Sequence, residues 1–223
     1  MEVVVSMVVF VASHVGLAHS PLKAAAIRRF GRVTYLALYS SLSIILLAWV
    51  IKSLIQSERT PLWPAPQWSY LFAAVVSCAG FALMGAGAAT ANPLSVSFRK
   101  STFDAKTPGI VGWTRHPLIW GLTLWGAAHV PANGDWPSVV LFAGAAGFGV
   151  LGVTLVERRN KRRFSAAQWD YLTSGRGHLN RDAAIGVIFG LITWSAFLTL
   201  HPILFGADPL AILRAQFQIG SNF

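Results

Sequence analysis

Long apolar runs, each near the ~20 residues that a helix needs to cross about 30 Å of hydrocarbon, alternate along this chain with clusters of lysine and arginine. That alternation restricts the fold to membrane-spanning helices. Backbone groups in lipid must pair within their own segment, and runs this long and evenly apolar do not suit barrel strands. Six spans are expected, at Val3–Ala18, Val33–Ile51, Trp68–Ala89, Pro117–Val130, Trp136–Val156 and Ala183–Leu204. Hydrophobic residues make up 54% of the chain and charged residues 12%, an apolar excess that soluble domains of this size do not carry. The expected fold class is therefore all-α, a polytopic membrane bundle of about six transmembrane helices. The first run opens Met1-Glu2 with no basic residue before it, so a retained helix is expected there and not a signal peptide.

Fifteen of the eighteen lysines and arginines follow the first, third and fifth runs, and so fall on one side of the membrane. The positive-inside rule makes that side cytoplasmic and places both termini on the outer, periplasmic side. Because the basic residues sit on alternate loops and the aromatics mostly in the apolar runs, the net charge of +10 reflects topology and not nucleic-acid binding. Membrane lipid is the expected partner of those loops. The single cysteine, Cys78, lies within the third run as a small packing residue, and no disulfide within the chain is possible. Residues 1–206 form the expected transmembrane domain. In 207–223, Asp208-Pro209 reads as the start of a short interfacial helix with Leu210, Leu213 and Phe217 on one face.

Six histidines are present, and His14, His129 and His201 fall inside apolar runs where a titratable group is costly. With a helical rise of 1.5 Å per residue, His14 lies roughly 14 Å and His129 about 18 Å above the cytoplasmic boundary, whereas His201 comes out at roughly 27 Å. His14 and His129 are thus expected near one level, on the first and fourth spans. Two neutral imidazoles facing each other across a bundle suit the axial positions of haem iron, and the spans offer no buried acid to complete a zinc site. His116 and His129 are ~20 Å apart on one helix and cannot share a metal.

The segment Gly112-Trp113-Thr114-Arg115-His116-Pro117 opens the fourth span. Pro117 suits a first helical position, and the unpaired backbone donors there, with Arg115 beside them, suit an anion such as a haem propionate or a cofactor carboxylate. An arginine anchoring the helix at the headgroups is the competing reading. Glu157, at the end of the fifth span, is expected to be a solvated acid balancing Arg158 and Arg159. Trp169 and Tyr171 are expected on the inner membrane surface.

The segments Ser13-His14-Val15-Gly16-Leu17-Ala18 and Gly31-Arg32-Val33-Thr34-Tyr35-Leu36, then Trp113-Thr114-Arg115-His116-Pro117, Trp125, Ala128-His129 and Leu200-His201-Pro202, resemble the NnrU family over nearly the whole chain. That family includes bacterial proteins associated with nitric oxide and nitrite respiration, and the related cis-zeta-carotene isomerase. The resemblance implies a bacterial inner-membrane protein with haem b held by His14 and His129, and with Arg115 and His116 holding the propionates or shaping the entrance. It further implies either redox-gated isomerisation of an apolar, carotenoid-like polyene or a role beside respiratory and denitrification proteins. One departure is Gly126, where the isomerase has a cysteine three residues before its second ligand, so a cysteine-based ligand exchange is not expected here.

Two other classes remain open. Membrane methyltransferases that use S-adenosylmethionine on isoprenylcysteine or phospholipid carry a similar Arg-His-Pro start with a following glycine, here Gly121. They usually have Tyr in place of Trp120, and often two downstream acids where this chain has Glu157. A non-enzymatic assembly or signalling factor would leave the histidines as structural groups.

Overall fold

The computed structural model describes residues 1–19, 21–99 and 101–220. Among them the secondary structure is helical, without strands. The helices are α1 (Glu2–His19), α2 (Pro21–Phe30), α3 (Arg32–Gln56), α4 (Gln67–Ala89), α5 (Pro117–Ala132), α6 (Trp136–Arg163), α7 (Ala166–Thr173), α8 (Arg181–Phe205) and α9 (Pro209–Gly220), with a 3-10 turn at Gly109–Gly112. Each of the six apolar runs falls on a helix. α3, α4, α6 and α8 are long and apolar enough to cross a membrane, and α1 with α2, taken as one bent pair, would add a fifth. α5 has only 16 residues, about 24 Å of helix.

Local chemistry sets most boundaries. Gly31, at φ 82°, adopts a conformation that L side chains rarely take and divides α2 from α3. α7 begins with a capping box between Ser165 and Gln168, and α8 with the Asn180 side chain accepting from the Ala183 amide at 2.9 Å. α9 starts where Asp208-Pro209 suggested, with Asp208 accepting from the Ala211 amide. The side chain of Phe217, assigned to its apolar face, lies outside the described residues.

Packing divides the chain into two compact units, residues 1–64 with 133–144 and residues 65–132 with 145–223. In the first, α1 packs on α3, Val3, Ser6 and Val50 are buried, and the Tyr35 and Tyr39 hydroxyls donate to the carbonyls of Leu17 and His14. Its connectors close on each other: the Leu62 and Trp63 amides donate to the Gly134 carbonyl, and Arg59 reaches Asp135 and Ser138.

In the second unit α4 lies between α5 and α8. A Cβ on Gly85 would run into the Gly186 carbonyl, one on Gly186 into that of Gly85, and one on Gly121 into that of Gly80. Lipid tails are as apolar as the helices, so association depends on close backbone approach, which these glycines permit. At the basic end the connecting loops are ordered around their own apolar cluster of Ala86, Leu94, Ile110, Val111 and Ala183, flanked by Phe103, Phe164, Trp169 and Leu172. Trp169 therefore packs inside this cap, while Tyr171 is exposed.

Gly186→Leu should force α4 and α8 apart at an overpacking cost of about 1–3 kcal/mol or more, read as a lower apparent Tm in detergent. Gly147→Ala, where an added Cβ meets nothing within 4 Å, should not lower it. Equal thermal stability of Gly186→Leu and the native chain would contradict the backbone contact.

Candidate functional site

The Arg-His-Pro corner and Glu157 meet at the basic end of the second unit. Pro117 opens α5, as its missing N–H allows, and α6 runs a further six residues past Glu157 to Arg163. One carboxylate oxygen, Glu157 Oε1, accepts from Arg115 Nε at 2.5 Å and from His116 Nε2 at 3.0 Å. The Glu157 side chain is only 17% exposed, so it is not the solvated acid that Arg158 and Arg159 suggested. Its partners lie more than forty positions back along the chain. The guanidinium of Arg115 also sits 5.7 Å from the centre of the Trp169 ring, a cation–π contact to α7.

His116 is 2% exposed. Burial pushes its imidazole below the ordinary value, the Glu157 carboxylate opposes that shift, and the charges of Arg115 and Arg159 add to it. Since Nε2 faces a carboxylate, it carries the proton, and the lone pair resides on Nδ1. Nδ1 is buried and has no hydrogen-bond partner in the protein; the same holds for Asn160 Oδ1, one turn beyond Glu157, and for Thr90 Oγ1 at the end of α4. Leaving such an atom unsatisfied costs about 1–3 kcal/mol. Asn160 is wholly buried and its Nδ2 donates to the Leu94 carbonyl at 2.5 Å, while Asn92 Nδ2 donates to the Arg115 carbonyl at 2.9 Å. Neither asparagine stood out in the sequence. Asn160 is hidden there among Arg158, Arg159 and Lys161, and its burial shows only in the fold.

The histidines within apolar runs, His14, His129 and His201, occupy other places. His129, in the last turn of α5, donates from Nδ1 to the Trp125 carbonyl at 2.7 Å. This fixes the tautomer whose lone pair is on Nε2, the arrangement that metal-ligating histidines adopt. His201 near the end of α8 pairs its Nδ1 with the Ala207 carbonyl at 3.1 Å. His14, in the first unit, lies between Phe10 and Tyr39, with ring centroids at 5.8 and 5.1 Å. Among the described residues no three His, Cys, Asp or Glu side chains gather as a metal-ion site.

The NnrU protein family model matches residues 2–209, nearly the whole chain. The chain belongs to the NnrU family. No curated protein and no solved structure matches it. Within this NnrU protein, then, the structure brings Arg115 and His116 together on Glu157, while His14 and His129 belong to different units.

The burial of His116 has a consequence for stability. Its folded pKa lies below that of the unfolded chain, so the unfolded chain takes up the proton first as pH falls. The stabilising contribution is complete above about pH 6.5 and is lost as pH falls from there through the folded pKa. Between about pH 7.5 and about pH 5.5 the apparent Tm should fall in the native protein and fall less in His116→Gln. An identical pH dependence in both would remove His116 as the source.

Proposed function

We propose that this NnrU protein is a six-span haem b protein of the bacterial inner membrane, with both termini on the outer side and with His14 and His129 as axial ligands. The observation that supports this reading is the Nδ1 bond from His129 to the Trp125 carbonyl, which leaves the lone pair on Nε2, the tautomer an iron ligand would need, at a depth where an imidazole is costly. Bound haem would supply one-electron chemistry, coupled either to isomerisation of an apolar polyene or to nitric oxide and nitrite respiration. Arg115 and His116 stand at the cytoplasmic mouth in this reading, and Glu157 is the counter-ion that an incoming propionate would have to displace.

The test is an absorption spectrum of the purified protein after haem loading. A Soret band is expected in the native protein, weakened or shifted in both His14→Ala and His129→Ala. No band in the native protein, or an unchanged one in both variants, rejects the assignment.

A second reading has its own support. Arg115, His116 and Glu157 converge at the basic end, the arrangement expected of a membrane methyltransferase holding S-adenosylmethionine there. Calorimetric titration with that cofactor decides it, and absence of saturable binding removes it.

A further inference from the structure

Three orphaned polar atoms lie on elements that meet at the basic end of the second unit. Thr90 ends α4 one turn after Gly87, where an added Cβ would meet Pro117 and the Leu118 amide, so the end of α4 lies against the start of α5. Asn160, on α6 one turn beyond Glu157, holds the Leu94 carbonyl, four residues beyond Thr90, so the loop after α4 is fastened to α6. His116 enters from the start of α5. Thr90, His116 and Asn160 are each at most 4% exposed, and their Oγ1, Nδ1 and Oδ1 atoms have no partner in the protein. Two of the three, Nδ1 and Oδ1, can only accept in the tautomer and orientation that their other bonds fix. Their shared need is a donor small enough to enter a packed junction, and water is that donor.

We propose that the His116–Glu157 pair is a proton-accepting site fed by water held at this junction, with His116 as the base and Glu157 as its positioning residue. The arrangement has the logic of a base held by a carboxylate: Glu157 fixes the Nε2–H tautomer and compensates the positive charge that forms. In the transfer, His116 Nδ1 takes a proton from the bordering water, the Nε2–H bond to Glu157 persists, and the water regains a proton from solvent. Solvent is near, because the Arg115 side chain bound to the same carboxylate oxygen is 46% exposed. The charged groups facing the imidazole are Arg115 and Glu157 in direct contact, and Arg159 further along α6. The site does not depend on the haem reading: its failure would leave the Soret test untouched, and absence of a Soret band would leave the site standing.

The experiment is histidine 15N NMR on the full-length protein in nanodiscs, with His116 assigned by loss of its signal in His116→Gln. If that variant does not accumulate, substitution of the other five histidines assigns it by elimination. The expected result is a neutral Nε2–H tautomer near neutral pH that protonates on acidification, with the midpoint lowered by about one pH unit, a tenfold change, in Glu157→Gln. Asn160→Leu, which removes an orphaned acceptor while leaving Glu157 in place, should slow exchange of the His116 proton with solvent. A proton on Nδ1 at neutral pH, no protonation down to about pH 4, or an unaltered midpoint in a folded Glu157→Gln overturns the proposal. Each would leave His116 as a structural histidine.

Discussion

A single carboxylate oxygen organises the basic end of this molecule. Glu157 Oε1 takes one hydrogen bond from Arg115 and one from His116, and so ties the C-terminal part of α6 to the corner that opens α5. Removing either partner would leave a partly buried charge under-compensated, which is more costly than loss of a fully exposed surface pair. The constraint spreads outward from there. Arg115 is held over Trp169, Trp169 belongs to the apolar cap, and Asn92 fastens the Arg115 carbonyl to the loop after α4.

Within the second unit the helices meet by a different principle. The approach of α4 to α5 and α8 is set by Gly80, Gly85, Gly121 and Gly186, where the space a Cβ would need is taken by a carbonyl of the facing helix. In lipid this closeness replaces the hydrophobic driving force that a water-soluble core would have. It also places the end of α4 against the start of α5, so Thr90 and His116 border the same junction. Small residues in the spans thus fix where the polar groups meet.

The helices were legible because apolar length is a local property: all six runs fall on helices, four of which are long and apolar enough to cross a membrane, and Trp68–Ala89 differs from α4 by one residue. The run ending at Val156 was too short by seven residues because the helix continues through Glu157 and the basic residues after it. Glu157 itself was misread, since its sequence neighbours are two arginines while its real partners come from another helix. Asn160 and the cap beside Trp169 were missed for the same reason, as contacts between segments far apart in the chain leave no periodic trace. The choice of His14 and His129 rested on depth arithmetic and family resemblance. The structure adds to it only the hydrogen bond that sets the His129 tautomer.

The central claim is that Arg115, His116 and Glu157 act as one unit, and a double-mutant cycle in thermal or denaturant unfolding tests it most directly. With Arg115→Gln, Glu157→Gln and the double variant, the account predicts a coupling energy of about 1 kcal/mol or more, because the double variant removes both charges together. Additive losses, with the double variant no more stable than the sum of the single effects allows, would contradict it.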